Sequence, residues 1–215
     1  MEDQGETVRN EDQKDETEKM GDQKHMNMLS SNSPVRQFAA SPLRPFAGAP
    51  VRKCAMGEGV VTQAPHIISS VGLGSCVAVT FYDTSRKIGG LAHIMLPNRI
   101  RNPQSAIRNE EVRNPQYQCA DTAIAALLEE LRSKGAVRQD LVAKMVGGAQ
   151  MFSSYDGSNS GVGKQNLMSI KRILDRERIP LIGEDVGGHH GRNIEFYLGS
   201  GKVIVMAMGK GDREI

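Results

Sequence analysis

The chain has 215 residues and a formal net charge of +2, with 24% charged and 39% hydrophobic residues. So small an excess of basic residues does not indicate nucleic-acid binding, and no apolar run reaches the ~18 residues needed to cross a bilayer. Three widely spaced cysteines exclude a disulfide framework, so we expect a cytoplasmic protein that is not membrane-embedded.

The first fifty residues are predicted to be a disordered tail and linker. Residues 1–30 carry nine acidic and four basic side chains with little that is apolar, and such a segment buries too little surface to offset its ordering entropy. Residues 31–50 add four prolines among Ser, Ala and Arg, a composition typical of an extended linker. We therefore divide the chain into a tail at 1–50 and a folded domain at 51–215.

The first half of the domain is predicted to be strands. Short β-prone runs occupy 59–62, 66–71, 76–82 and 87–95, with a turn signal at 83–86 between the last two. Because this turn is short, we expect those two strands to form an antiparallel hairpin. The hairpin would bring His93 back toward Cys76, although seventeen positions separate them.

The second half mixes two helices with further strands. Apolar residues recur at helical spacing from 120 to 134 and from 165 to 178, while 141–146, 181–186, 194–198 and 202–206 are β-prone. Many strands and only two helices favour an α+β fold over a doubly wound one. We predict a layered α/β/β sandwich with mainly antiparallel strands and both helices packed outside.

Cys76, just past the glycine turn 72–74, and His93 are the candidate reactive residues. A thiolate is a strong nucleophile when a nearby imidazole removes its proton, and the amides of the glycine turn, at Gly74 and Ser75, could hold an oxyanion. Buried free cysteines are also common core residues, so the pair alone does not decide between the two roles.

Two other site types are disfavoured by their surroundings. The glycine turn precedes a strand without the helix and lysine of a phosphate loop. The adjacent His189 and His190 lack carboxylates at a ligand spacing, and no CxxC pair exists, so we predict no metal site.

At these residues the sequence resembles the CheD proteins of bacterial and archaeal chemotaxis, which are glutamine deamidases acting on chemoreceptors. The resemblance covers about 58–204 and rests on six motifs in the same order. They are GLGSCV at 72–77, GGLAHIMLP at 89–97, ADTA at 120–123, GGA with MF at 147–152, Gly163 with Asn166, and EDVGG with GR at 184–192.

The resemblance implies a protein-glutamine glutaminase with a catalytic triad of Cys76, His93 and a hydroxyl residue six positions before the cysteine. That position holds Ser70, where the family commonly has threonine. It also implies no cofactor, the cytoplasmic helices of methyl-accepting chemoreceptors as substrate, and a CheC-type phosphatase as a possible partner. Two alternatives remain open: an adaptor that stimulates such a phosphatase, and a methylesterase using the same acyl chemistry.

Three features depart from the family pattern. Cys119 stands where relatives often have tyrosine, the acidic tail is additional, and the loop from Arg99 to Arg113 is long. We expect the arginines of this loop to help dock the glutamate-rich receptor helices.

Overall fold

Ten strands and two α-helices form in the part of the protein that a computed structural model describes, residues 48–98, 115–150, 161–207 and 209–215. These residues belong to one compact unit, Ala40–Ile215. In chain order the elements are β1 (Val51–Lys53), β2 (Gly59–Gln63), β3 (Ile67–Leu73), β4 (Val77–Asp83), β5 (Ile88–Ile94), α1 (Ala120–Ser133), β6 (Leu141–Gly147), α2 (Val162–Glu177), β7 (Leu181–Val186), β8 (Arg192–Tyr197), β9 (Lys202–Ala207) and β10 (Lys210–Glu214).

The strands form two five-stranded sheets. The outer sheet has the order β1-β3-β8-β9-β10, and the central sheet has the order β2-β5-β4-β6-β7. Only β1–β3 and β6–β7 pair in parallel among these strands. The chain passes from the outer to the central sheet between β3 and β4, and that crossing carries Cys76.

The central sheet is covered on both faces, and for this reason every residue of β4 and β5 is buried. One face packs on the helices, where Val79, Phe81 and Ala92 meet Ile124 and Leu127. The opposite face packs on the outer sheet in a second core, where Ala78, Tyr82, Leu91 and Val146 meet Ile68, Ile194, Phe196 and Val205. The layers are therefore helices, central sheet and outer sheet, which confirms the predicted α/β/β sandwich.

Most predicted elements lie within a few residues of the observed ones, and the hairpin of β4 and β5 is antiparallel as predicted. Helix α2 begins at Val162, three residues before its predicted start. Gly163 lies in this first turn, where a Cβ would lie 2.7 Å from the carbonyl oxygen of Gly148. Position 163 therefore needs glycine for close packing on that backbone, although glycine has a low helix propensity.

Some predictions concern residues outside the described part. The tail at 1–50 falls there except for its last three residues, and so does the arginine loop at 99–113. Neither α1 nor α2 is long and apolar enough to cross a membrane, and these are the α-helices of the described residues.

Candidate active site

The three residues predicted to form a triad lie where the two sheets meet. Ser70 belongs to β3 of the outer sheet, His93 to β5 of the central sheet, and Cys76 to the connection between β3 and β4. Ser70 and His93 are both about 1% exposed, whereas Cys76 is partly accessible. The site thus has a buried imidazole and hydroxyl behind a thiol that solvent can reach.

The register of the β4–β5 hairpin sets the direction of the His93 side chain. His93 pairs with Ala78, two residues after Cys76. Side chains alternate along a strand, so His93 shares a face with Leu91, which packs in the core between the sheets. The imidazole therefore points toward the outer sheet, on the face where the connection with Cys76 crosses over.

A chain of two hydrogen bonds orients the imidazole. The Ser70 hydroxyl donates to the Cys54 carbonyl oxygen at 2.9 Å and lies 2.9 Å from Nδ1 of His93. A serine hydroxyl has one proton, and here that proton is used on a carbonyl that can only accept. Nδ1 must then carry the hydrogen of the His93–Ser70 bond, so the lone pair of the ring is on Nε2.

Nε2 of His93 is buried and makes no hydrogen bond with the described residues. Burial lowers the pKa of His93 to about 4, because the charged imidazolium is poorly solvated there. The imidazole is therefore neutral near pH 7, with its free lone pair held in place, as a general base requires.

The Cys76 thiol rests against another sulfur rather than against the imidazole. Its Sγ lies 3.9 Å from Sδ of Met56, a side chain that is 60% exposed. Burial raises the pKa of Cys76, an effect that its own backbone N–H partly opposes. In this arrangement both the thiol and the imidazole are uncharged near pH 7.

The backbone of Cys76 is held by the glycine pair that ends β6. Gly148 donates its N–H to the Cys76 carbonyl oxygen at 2.8 Å. At Gly147, φ is 114° and a Cβ would lie 2.3 Å from the same oxygen. A side chain at 147 would displace the backbone of Cys76, which explains the glycine.

The backbone N–H groups of the glycine turn before Cys76 differ in their hydrogen-bond partners. The Gly74 N–H bonds to the Gly72 carbonyl, and the Gly74 carbonyl accepts from Ala149 at 2.7 Å. The Ser75 N–H makes no hydrogen bond with the described residues. Of the two residues predicted for the oxyanion, Gly74 therefore shapes the turn, and Ser75 has the available amide.

Residues 54–58, which we name the front loop, were not predicted to take part in the site. The loop holds the His93 backbone from both sides, because Gly57 donates to the His93 carbonyl at 2.9 Å and the His93 N–H donates to Glu58 at 3.0 Å. It also supplies the Cys54 carbonyl and the Met56 thioether. Apart from Met56, the loop contributes main-chain atoms, which leave no signal in the sequence.

A cavity of about 470 Å³ opens beside the residue that precedes Cys76, and it is lined by Ser75, Gly148, Ala149, Gln150, Gly161, Val162, Gly163, Lys164, Leu167, Gly187, Gly188 and His189. His189 shares a hydrogen bond of 3.0 Å with the Gln150 carbonyl at its wall. No group of three or more His, Cys, Asp or Glu side chains placed to hold a metal occurs in the described ranges.

Cys119, at the position where relatives often have tyrosine, is buried at the start of α1. Its backbone forms an isolated β-bridge with Leu96, just past β5. Tyr117, two residues earlier, is buried as well and donates its hydroxyl to Glu130 of α1. The aromatic side chain near this helix start therefore packs from 117 rather than from 119.

Comparison with known proteins shows which proteins this chain is similar to. A family model described as CheD chemotactic sensory transduction matches residues 95–207. The probable chemoreceptor glutamine deamidase CheD of Caldanaerobacter subterraneus subsp. tengcongensis is 39% identical over 166 residues, which are 76% of this chain and 96% of that protein. The chemoreceptor glutamine deamidase CheD of Halalkalibacterium halodurans is 41% identical over 165 residues, 76% of this chain and 97% of its own.

Among solved structures, the Bacillus licheniformis hypothetical protein YfiH aligns with 59% of this chain and 49% of its own, at 16% identity and a TM-score of 0.37. That likeness is too remote to bear on function.

Proposed function

Because this chain belongs to the CheD family, we propose that it hydrolyses glutamine side chains of methyl-accepting chemoreceptors to glutamate, with Cys76 as the nucleophile. The observation that carries this proposal is the Ser70–His93 hydrogen bond, which leaves the Nε2 lone pair of His93 free at the crossing that holds Cys76. The curated relatives named as chemoreceptor glutamine deamidases supply the substrate class.

The first step forms a thiolate and then a carbon–sulfur bond. The Cys76 thiol turns from Met56, its proton passes to Nε2 of His93, and the sulfur attacks the side-chain amide carbon of the glutamine. The electron pair of the C=O double bond moves to the oxygen. Ser70 remains hydrogen-bonded to Nδ1 and steadies the ring as it becomes charged.

The negative oxygen of this intermediate needs a hydrogen-bond donor. We assign the Ser75 N–H to this role, with Gly74 holding the turn in shape. A single backbone donor to a developing oxyanion stabilises the transition state by about 3 kcal/mol.

The intermediate collapses when the carbon–nitrogen bond breaks and the leaving nitrogen takes the proton from His93, which releases ammonia. His93 next removes a proton from water, and the resulting hydroxide attacks the thioester. The carbon–sulfur bond then breaks, the thiolate recovers its proton, and glutamate is left. Amide and water thus give carboxylic acid and ammonia, which become carboxylate and ammonium near pH 7, and since Cys76, His93 and water supply every proton, the scheme calls for no cofactor.

The substrate would be the cytoplasmic helices of the receptors, which places the protein in the cytoplasm. A docking role for the arginines at 99–113 belongs to this proposal and concerns residues outside the described part. Binding to a CheC-type phosphatase is compatible with the same fold and does not replace catalysis.

The test is a comparison of products released from a purified receptor cytoplasmic fragment. Wild-type protein should release ammonia, while Cys76→Ala and His93→Ala should release none above the blank. Methanol from a methylated fragment without ammonia would establish the methylesterase instead, and release of neither would leave the adaptor role.

A further inference from the structure

We infer that Asn166 is a positioning residue that holds Cys76 and His93 in register, because one side-chain amide is shared between the two segments that carry them. This inference rests on the proposed function, in which a thiol and an imidazole from different segments must meet. Asn166 is on α2, in the helical layer, and is fully buried.

The amide group of Asn166 makes two equal contacts. Its Nδ2 donates to the Ser75 carbonyl oxygen at 3.0 Å and to the Met95 carbonyl oxygen at 3.0 Å. Ser75 directly precedes the nucleophile, and Met95 follows His93 by two residues. An NH₂ group has two protons, so each carbonyl receives one, and both donors are used on the reactive segments.

These two hydrogen bonds lie beyond the end of the β4–β5 ladder, where no sheet hydrogen bond among the described residues connects the Cys76 segment to the His93 segment. The β4–β5 ladder ends at the pair Val77–Ile94, so the next pair would be Cys76 with Met95. Met95 instead donates its N–H to the Gln118 carbonyl at 2.9 Å. Beyond the last ladder bond, Asn166 is the side chain that ties the Cys76 segment to the His93 segment in the described structure.

The carbonyl oxygen of the Asn166 side chain indicates why the two N–H groups of the same amide are needed. Oδ1 of Asn166 is buried and has no hydrogen-bond partner among the described residues. A buried unpaired acceptor is costly, and an apolar side chain of similar size would avoid that cost. The two N–H groups are therefore what this position requires.

Ser169, one helical turn further along α2, provides a matched control. Its hydroxyl donates to the Pro97 carbonyl at 2.6 Å and lies 3.0 Å from Oδ1 of Asn98. It therefore anchors the same helix to the same side of the site, through a buried polar side chain, without touching the segment of Cys76.

The experiment measures how fast iodoacetamide alkylates Cys76 as a function of pH, in wild type, Asn166→Ala, Ser169→Ala and His93→Ala. Turnover of the receptor fragment is measured beside it. Alkylation needs no receptor, so it tests the coupling even if the wild-type protein proves not to be a deamidase.

If Asn166 positions the pair, Asn166→Ala loses the His93-dependent part of the alkylation profile, and kcat falls by about tenfold or more with KM little changed. Ser169→Ala keeps the wild-type profile and kcat, even where its thermal stability falls as much. A wild-type profile and kcat in folded Asn166→Ala, or equal losses in Ser169→Ala, would overturn the inference.

Should Asn166→Ala not fold, Asn166→Asp decides, because its carboxyl keeps the size of the amide and, even when protonated, has a single O–H that can serve only one of the two carbonyls. A profile between those of wild type and His93→Ala supports the positioning role. An unchanged profile and kcat in this variant contradict it.

Discussion

The Ser70 hydroxyl and Nδ1 of His93 are 2.9 Å apart, and the same hydroxyl donates to the Cys54 carbonyl at 2.9 Å. The main chain of the front loop thus selects the imidazole tautomer through one serine. The nitrogen left with the lone pair is the one that the proposed chemistry requires.

Ser70→Ala should lower kcat by about 10- to 100-fold, because the imidazole then loses the bond that fixes its tautomer and orientation. Ser70→Thr keeps the hydroxyl and should retain most of the activity. Ammonia release from the receptor fragment measures both. Ser69→Ala, on the opposite face of β3, is the control, and an active Ser70→Ala would argue against the orienting bond.

His93 should make the folded state depend on pH in a defined window. Its pKa is about 4 in the folded protein and 6.5 in a model peptide, so the unfolded chain binds the proton more readily between these values. The stabilisation is complete above about pH 6.5 and is lost as the pH falls toward 4.

From pH 7.5 to pH 5, the loss due to His93 should be about 2 kcal/mol of unfolding free energy. Urea unfolding of wild type and His93→Gln at both pH values isolates it, because the other titrating groups are common to both proteins. A difference between the two proteins that does not change with pH would contradict the low pKa.

The three cysteines should differ sharply in reactivity. Cys54 and Cys119 are buried, and burial raises the pKa of Cys54 to about 12, whereas Cys76 is partly accessible. Because thiolate and access are both needed, iodoacetamide should modify Cys76 first in the native protein. Peptide mapping by mass spectrometry measures the labelling of each cysteine. The receptor fragment should slow the labelling of Cys76. Equal labelling of all three cysteines would speak against a distinct site at Cys76.

Gly147→Ala should abolish most activity because its Cβ would lie 2.3 Å from the Cys76 carbonyl oxygen. Gly135→Ala is the matched control, since φ is positive at both positions but nothing lies within 4 Å of the added Cβ at 135. Backbone strain should cost each variant about 1 kcal/mol of stability. If the two variants lose equal activity, the loss is due to strain and not to displacement of the nucleophile.

Local patterns were sufficient to predict the layers and the hairpin. Strands β4 and β5 are apolar runs joined by a turn with strong residue signals, and their pairing needs no distant information. Strands β1 and β10 were missed because Val51–Lys53 and Lys210–Glu214 are short, mostly exposed edge strands without a buried face to impose a pattern.

The candidate site stays a prediction, and the sequence indicates its residues only where the side-chain type is distinctive. Cys76 and His93 stand out by their chemistry, and Ser70 by resemblance to the CheD family. The Cys54 carbonyl carries no such signal because every residue has one. Asn166 contacts Ser75 across 91 positions, a pairing that the packing of α2 on the central sheet creates and that no local pattern contains.

Mass spectrometry of the receptor fragment after reaction in water labelled with heavy oxygen tests the central claim most directly. With wild-type protein, chosen glutamines should become glutamates that each carry one solvent oxygen, as hydrolysis of a thioester on Cys76 requires. Cys76→Ala should leave every glutamine intact. Conversion of the same glutamines by Cys76→Ala would contradict the account.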